Sequence, residues 1–123
     1  MAMTARIKLP WPPTINHYYG NRRNGGGKYI KPKGKAFRHN AYLCWLEAGR
    51  PYAEGRIAMR VQAYPPDHRK RDLDNILKAV QDALQAAGAY EDDCQIDLLT
   101  VERHPVMAGG RVAVTLEEIE NEG

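Results

Sequence analysis

The chain has 123 residues and a mass of 13.9 kDa, with 43% apolar and 27% charged residues. This length is typical of one domain, and this composition excludes wholesale disorder. No apolar stretch is long enough to span a membrane, and the first residues lack the apolar run of a secretory signal. Only two cysteines are present, so a disulfide scaffold is excluded and a reducing, cytoplasmic location is expected.

Charge is distributed unevenly along the chain. Residues 1–71 hold 15 Lys and Arg against 3 Asp and Glu, a net charge of +12, whereas residues 72–123 hold 3 against 12, a net charge of −9. This asymmetry is typical of a surface that faces a polyanion beside an acidic cluster. It fits equally a protein whose two halves neutralise each other within the fold.

The predicted elements begin with a strand over residues 3–9, which must end at Pro10 because successive prolines cannot continue a ladder. Residues 20–35 contain five Gly and six Lys or Arg, and this composition predicts a flexible basic loop. A helix is predicted over about 34–48, where apolar residues recur at helical spacing.

The next two elements have the clearest patterns. Residues 55–64 alternate between two faces and predict a strand. Leu73 begins the apolar stripe of a second helix, with Asp72 as a candidate N-cap and Gly88 as a candidate C-cap. The acidic turn at residues 91–93 comes after this helix.

Two further strands are predicted over residues 95–103 and 110–118, joined by a hairpin turn at residues 109–110. The last residues, 119–123, are expected to fray. The predicted order is β-α-β-α-β-β, in a single domain over residues 1–123. The expected fold class is α+β, a mixed β-sheet with two packed helices.

The stretch from His68 to Asn75 is the strongest candidate for chemistry, because three cations run directly into two carboxylates that are two residues apart. One interpretation is purely structural: the basic run is a solvated loop, Asp72 caps a helix and Asp74 favours its N-terminal dipole. The other interpretation is a catalytic cluster, since Asp74 and Lys78 share a helix face that points away from the apolar stripe.

A second acidic pair, Asp92 and Asp93, lies beyond the end of this helix. If the following strand runs back along the sheet, one of the two could meet Asp72 and Asp74, and the residues alone leave open which one. Three converging carboxylates are hard oxygen ligands that suit Mg²⁺ or Mn²⁺. Such a centre could promote attack on a phosphodiester, with Lys78 stabilising the developing charge and basic loops holding the backbone.

Other catalytic chemistries find little support in the sequence. The chain contains no Ser, its four His lack zinc-ligand spacing, and no Walker or dinucleotide glycine pattern is present. Cys44 lies on the apolar stripe of the first predicted helix and is interpreted as packing, and Cys94 has no motif partner. No small-molecule cofactor is therefore expected.

Four segments carry a family resemblance: LPWPPTIN at 9–16, RKRDLDN at 69–75 followed by Lys78, GAYEDD at 88–93 followed by Gln95, and GGR at 109–111. In this order and spacing they resemble the RusA family of Holliday-junction resolvases, small endodeoxyribonucleases common on bacterial genomes and prophages. The resemblance covers the chain from about residue 7 to residue 118. Each segment is modest alone, but four in order are specific.

The resemblance implies a Mg²⁺-dependent endonuclease, with Mn²⁺ as a substitute, that cuts four-way junction DNA by paired nicks in recombination and repair. It implies a homodimer, each subunit nicking one strand. It also implies three catalytic, metal-binding aspartates, Asp72, Asp74 and Asp93, and a catalytic lysine, Lys78. In this alignment Asp93 rather than Asp92 takes the third position.

The residues expected to bind DNA come from two sources. The resemblance assigns DNA contact to the basic run and to one residue beside the active site: Arg69, Lys70, Arg71 and Asn75. The predicted basic loop adds three candidates: Arg22, Arg23 and Lys28. Recognition by backbone contacts of this kind is largely recognition of shape.

Two other function classes are kept beside the nuclease. One is a module that binds branched or single-stranded nucleic acid without cutting it, and the other is a phage structural or assembly protein with a coincidental acidic turn. No membrane partner is expected.

Several side chains keep two interpretations. Trp11 either stacks on a base or covers a core edge, and Asn16 either forms a turn or supports the active site. The tyrosines beside the basic loop either stack on DNA or pack in the core or a dimer: Tyr18, Tyr19 and Tyr29. Asp82 is predicted to form an exposed ion pair with Lys78.

Overall fold

The computed structural model describes residues 3–120 of the chain. These residues form six strands and three helices: β1 (Thr4–Leu9), α1 (Ile15–Tyr18), β2 (Tyr19–Asn21), β3 (Lys28–Ile30), α2 (Pro32–Glu47), β4 (Ile57–Tyr64), α3 (Asp74–Ala87), β5 (Ile96–Arg103) and β6 (Arg111–Glu118). None of the three helices has the length and apolar content needed to cross a membrane.

Four of the strands form one mixed sheet in the order β1-β6-β4-β5. β6 pairs antiparallel with β1 and with β4, whereas β4 and β5 run parallel. Parallel neighbours need a crossover connection, and α3 supplies it by running back between the end of β4 and the start of β5. The two ends of α3 therefore lie at opposite ends of the sheet.

The core lies between the sheet and the helices. β4 alternates as predicted, and one face of this strand is almost fully buried: Ile57, Met59, Val61 and Ala63. The apolar stripe of α3 packs on that face and includes Ile76, Val80 and Leu84, which are 5% exposed or less. Strand alternation and the 3.6-residue helical period thus direct the same residues inward.

The long predicted elements are confirmed, with boundaries that shift by a few residues. α2 begins two residues earlier than expected, with Pro32 in its first turn, where a missing N–H costs nothing. α3 ends at Gly88 in the left-handed conformation, φ 109°, and its N–H donates to the Leu84 and Gln85 carbonyls. The C-cap prediction for Gly88 is therefore correct.

The N-cap prediction for Asp72 is wrong. α3 begins at Asp74, and Leu73 before it already has helical angles, φ −62° and ψ −36°, with no side-chain cap. A capping residue needs extended backbone so that its side chain can reach back to the first free N–H groups. Asp72 instead contributes only its carbonyl, which accepts from the Asn75 N–H at 3.2 Å.

The predicted hairpin between the last two strands is also wrong. β5 and β6 are not neighbours, because β4 lies between them in the sheet. The Gly109-Gly110 turn, with φ of 81° and 71°, therefore closes a longer connection that crosses the end of β4. Glycines predict where the chain turns, but which strands then pair is decided by the burial of β4 in the middle of the sheet.

Residues 20–35, predicted as a plain flexible loop, contain regular structure. β2 and β3 form a small antiparallel hairpin, closed by a short 3-10 turn at Arg23–Gly25. α1 comes before it, so the described residues hold three helices, and the order is β-α-β-β-α-β-α-β-β. The expected fraying of 119–123 falls partly outside the described residues, since these end at residue 120.

Candidate active site

A broad, open groove of about 800 Å³ lies beyond the C-terminal end of β4. Its lining is strongly basic and carries one carboxylate: Thr14, Arg69, Lys70, Arg71, Asp72, Asn75 and Arg103. Five of the residues predicted to act on DNA or metal are therefore brought together here. Thr14 and Arg103 were not predicted; Thr14 lies in the opening motif, and Arg103 ends a strand, a position that carries no sequence signal for this groove.

The basic run is held in place by Asp67. Its carboxylate accepts from the Arg69 backbone N–H at 3.0 Å and pairs with the Arg71 guanidinium at 2.8 Å. The Arg69 N–H and then the Arg71 charge hold the pKa of Asp67 below its usual range. Arg71 also lies over the Trp11 ring, 5.7 Å from its centroid, an arrangement typical of a cation–π contact.

Trp11 is therefore engaged within the protein, since it is half-buried against the core and covered by Arg71. Arg103 donates to the Arg71 carbonyl at 2.6 Å, which joins the end of β5 to the same loop. The guanidinium groups along the groove are thus partly ordered before any DNA arrives. Ordered donors lose less conformational entropy when they bind phosphate.

Asp72 and Asp74 are exposed, and neither carboxylate has a hydrogen bond or an ion pair within the described residues. Lys78, one turn further along α3, is also exposed and has no ion pair there. Exposed charges without partners add nothing to the stability of the fold. These three side chains are therefore available to a ligand.

Asp93 has a different environment, in the 3-10 turn Asp93–Gln95 that leads into β5. Burial raises the pKa of its carboxyl, and the adjacent Tyr90 hydroxyl and then the nearby Lys78 charge oppose this rise. Its Oδ1 atom is buried without a hydrogen-bond donor. Tyr90 does not satisfy this oxygen, because its hydroxyl donates to the Gln81 carbonyl at 2.7 Å.

The neighbouring Asp92 is used by the turn itself. Its carboxylate accepts from the Cys94 N–H at 2.8 Å, and this bond holds its pKa below the usual range. Gln95 completes a capping box by accepting from the Asp92 N–H, and it also donates to the Ala53 carbonyl beside the start of β4. Asp92 is thus committed to local structure, whereas Asp93 keeps an oxygen without a partner.

The structure does not bring Asp93 to Asp72 and Asp74 within one chain. Asp93 comes just before β5, whose Ile96 pairs with Ile57 at the start of β4, whereas Asp72 follows the end of β4. Asp93 therefore lies toward the start of β4 and Asp72 toward its end, although Asp93 is close enough to Lys78 of α3 for that charge to affect its pKa. Across residues 3–120, no group of three or more acidic, His or Cys side chains could hold a metal ion.

The predicted DNA-binding residues of the 20–35 segment lie apart from the groove. Arg22, Arg23 and Lys28 are exposed on the β2–β3 hairpin. Arg22 and Lys28 line a separate shallow pocket together with Tyr29. The structure thus divides the predicted basic surface into two patches.

Asp82 does not pair with Lys78, so that prediction is wrong. Both of its oxygens are bound by Arg38 of α2, at 2.7 and 2.8 Å, and one also accepts from the Tyr18 hydroxyl. Tyr18 is fully buried, so it packs in the core and is not available to stack on DNA. Helical spacing made Lys78 the nearest candidate in sequence, but α2 supplies a bidentate partner that spacing alone cannot indicate.

Comparison with known proteins agrees with the arrangement of these segments. The family model described as Endodeoxyribonuclease RusA matches residues 10–117. The crossover junction endodeoxyribonuclease RusA of Shigella sonnei (strain Ss046) is 40% identical over 123 residues, covering 97% of this chain and 98% of that protein. The protein of the same name from Escherichia coli (strain K12) is 39% identical with the same coverage.

A phage protein is similarly close. The crossover junction endodeoxyribonuclease rusA of Enterobacteria phage HK97 is 39% identical over 114 residues, covering 92% of this chain and 93% of that protein. The match therefore extends over almost the whole chain in bacterial and phage relatives alike. The chain belongs to the RusA family of endodeoxyribonucleases.

Proposed function

We propose that this protein is a Mg²⁺-dependent endonuclease that resolves Holliday junctions by paired nicks in recombination and repair. The observation that carries the proposal is a pair of exposed carboxylates that have no partner within residues 3–120: Asp72, which lines the arginine-rich groove, and Asp74, two residues further along. A module that only binds DNA gains nothing from acidic side chains beside a polyanion, because they repel the phosphates.

The groove binds the DNA backbone. Arg69, Lys70 and Arg71 make contacts to phosphate, and Asn75 in the first turn of α3 lines the same groove. Arg22, Arg23 and Lys28 of the hairpin contact a more distant part of the backbone. Phosphate contacts position the protein without reading bases, so selectivity comes from the shape of the branched DNA.

The residues present fit a hard divalent cation. Mg²⁺ is commonly held by one or two carboxylates together with substrate phosphates and water, so Asp72 and Asp74 beside a phosphate-binding groove suffice for part of the site. The buried Asp93 oxygen without a donor is a further acceptor that a cation would satisfy. We assign Asp72, Asp74 and Asp93 to Mg²⁺, with Mn²⁺ as a substitute.

When bound, Mg²⁺ supplies a Lewis acid that neutralises charge on the scissile phosphate and favours ionisation of a nearby water. The chain's own groups do the rest. The basic run holds the phosphodiester against the carboxylates, and the Lys78 ammonium, one turn along α3, donates to the oxygen on which negative charge develops.

We propose further that the protein acts as a homodimer, because within residues 3–120 of one chain Asp93 does not join Asp72 and Asp74 in a group that could hold a metal ion. Among the described strands β5 is at the edge of the sheet, so the backbone N–H and C=O groups along one side of it are unpaired. Two apolar side chains of β5, Leu98 on one face and Leu99 on the other, are 57% and 38% exposed. An exposed apolar edge of this kind readily pairs with another strand. Antiparallel pairing of two β5 strands places the start of one beside the end of the other, and therefore Asp93 of one copy near the groove of its partner.

One register suits this pairing well. If the two-fold axis passes through Thr100, the two threonines face each other and Leu99 of each copy faces Val101 of the other. Asp97 of each copy, whose carboxylate is already bound by Arg56 of its own chain, then also faces Arg103 of the other, so opposite charges meet at both ends. A closed two-fold pairing also provides two active sites for two nicks.

A nicking assay on a synthetic mobile four-way junction tests the enzyme. The wild type and Asp74→Asn are each run with Mg²⁺ and with EDTA, beside a linear duplex of matching sequence. We expect paired nicks that need the metal, and Asp74→Asn should bind the junction without cutting it. Tight binding with no cleavage under any divalent ion would leave only the binding module.

Mixing two inactive variants tests the shared site. A heterodimer of Asp74→Asn with Asp93→Asn holds one complete site if Asp93 acts across the dimer, and none if it acts within its own chain. We expect single nicks without full resolution from the mixture, and no cleavage from either variant alone. The two variants are co-expressed with different affinity tags and purified over both, so that only mixed dimers are assayed. Mixed dimers as inactive as either variant alone would contradict the shared site.

A further inference from the structure

Lys78 lies on α3 with one carboxylate a helical turn before it and another a helical turn after it. Asp74 is four residues before it and Asp82 is four residues after it. Side chains at this spacing are neighbours on a helix surface and can form an ion pair. Nevertheless the Lys78 ammonium has no ion pair within the described residues.

The reason lies in α2. Arg38 donates from Nε and from Nη2 to the two oxygens of Asp82, at 2.7 and 2.8 Å, in a bidentate pair. The Tyr18 hydroxyl donates to the same carboxylate and itself accepts from Arg38 at 3.1 Å. Both oxygens of Asp82 are therefore engaged by donors from α1 and α2, and neither pairs with Lys78 within the described residues.

We infer that Arg38 is a positioning residue for catalysis: by binding both oxygens of Asp82, it keeps this carboxylate from capturing Lys78. The inference rests on the proposed role of Lys78 at the scissile phosphate. An ammonium in an ion pair with Asp82 is partly neutralised and turned toward the C-terminal half of α3. An ammonium without an ion pair can instead donate to the scissile phosphate near the N-terminal half of α3.

A purely structural role for the same contacts makes a different prediction. In that case the Arg38–Asp82 pair only holds α2 against α3, and removing both partners is at least as harmful as removing one. If Arg38 instead keeps Asp82 from pairing with Lys78, the cleavage rate falls because Asp82, left without Arg38, forms an ion pair with Lys78. Removing Asp82 as well should then restore activity, and this reversal distinguishes the two roles.

The experiment compares four proteins: the wild type, Arg38→Met, Asp82→Asn and the double variant Arg38→Met/Asp82→Asn. Single-turnover nicking of the four-way junction is measured at saturating protein and Mg²⁺, at a temperature at which circular dichroism shows all four folded. We expect Arg38→Met to lower the cleavage rate about three-fold, in keeping with the strength of a partly exposed helical ion pair. Asp82→Asn and the double variant should cut at nearly the wild-type rate.

A second readout needs neither DNA nor metal. The rate at which an amine-reactive ester labels Lys78 is followed by peptide mass spectrometry, because an ammonium held by a carboxylate reacts more slowly. Labelling should slow about three-fold in Arg38→Met and recover in the double variant. This readout stands even if the wild type cuts no junction, so a failure of the proposed function can be told from a failure of this inference.

A matched control removes an arginine of the same kind elsewhere. Arg60 pairs with Glu102 at 2.8 Å on the sheet face opposite the helices, so Arg60→Met changes the net charge equally without touching α3. It should leave the cleavage rate and the labelling of Lys78 unchanged. The inference is overturned if Arg38→Met cuts at the wild-type rate, if the double variant is as slow as Arg38→Met, or if Lys78 labelling does not respond.

Discussion

The carboxylates at the N-terminal end of α3 lack hydrogen-bond and ion-pair partners within the described chain, whereas the one in its C-terminal half has several. At the N-terminal end, Asp72 and Asp74 are exposed beside a row of cations and have no partner within the described chain. In the C-terminal half, Asp82 is bound by Arg38 and Tyr18 in a network that joins three helices. Carboxylates without a partner in the fold are available to a ligand, whereas the Asp82 carboxylate is held by its own donors.

Replacing Asp72 at the N-terminal end of α3 should have the largest effect on cleavage. We expect Asp72→Asn to lower junction cleavage about 100- to 1,000-fold, because it removes a proposed metal ligand, and to leave the melting temperature nearly unchanged. Single-turnover nicking and thermal melts measure both. A large loss of stability in Asp72→Asn would show that this end is structural after all. Glu117→Gln, an exposed carboxylate on β6, is the control.

The packing beneath the Asp82 network should be the most sensitive structural point. A Cβ atom on Gly34 would lie 2.6 Å from the Tyr18 carbonyl oxygen and 2.8 Å from the Ile30 side chain, so there is no room for one. We expect Gly34→Ala to lower the free energy of unfolding by about 1–3 kcal/mol, measured by urea denaturation. Gly55→Ala, where a Cβ meets open space, is the matched control.

A substitution in the basic groove beside Asp72 should lower DNA affinity and hardly change the stability of the protein. Arg71→Gln removes one phosphate contact, so junction affinity should fall at low salt, and the slope of log K against log salt should decrease by about 1. Fluorescence anisotropy at several salt concentrations measures both. An unchanged slope would mean that Arg71, held by Asp67 and Trp11, does not reach the backbone.

The smallest expected effect is a gain in stability at Asp93. Burial raises the pKa of this carboxyl in the folded state, so its ionisation opposes folding at neutral pH. We therefore expect Asp93→Asn to raise the melting temperature of the metal-free protein by about 2 °C. The difference should shrink as the pH falls through the raised pKa, where the wild-type carboxyl becomes neutral too. A lower melting temperature at pH 7 would show that the Asp93 carboxylate stabilises the fold.

The sequence predicted those helices and strands whose pattern is contained within a single segment of the chain. The stripe of α3, the alternation of β4 and the Gly88 cap are local patterns, so a single segment contains the whole signal. The hairpin of β2 and β3 was missed because its strands, Tyr19–Asn21 and Lys28–Ile30, are only three residues long. Such short strands have too few residues to show a period of two.

The site was predictable in part for the same reason. Asp72 directly follows the basic run, so their joint presence in one groove follows from the chain itself, and Asp74 is only two residues further along. The partner of Asp82 was not predictable, because Arg38 lies 44 residues away on another helix. The contribution of Arg103 depends on the end of β5 lying beside the 65–73 loop, which is a property of the sheet order.

By itself the sequence determined the long helices and strands, the charge asymmetry and the residues with which a nuclease of this family could work. These follow from periodicity, composition and short-range order along the chain. Only the tertiary structure decided that β4 lies between β5 and β6, and that Asp93 and Asp72 lie at opposite ends of the sheet. The physical reason is that the sheet is ordered by burial of its most apolar strand, and long-range pairing of this kind leaves no trace in any one segment.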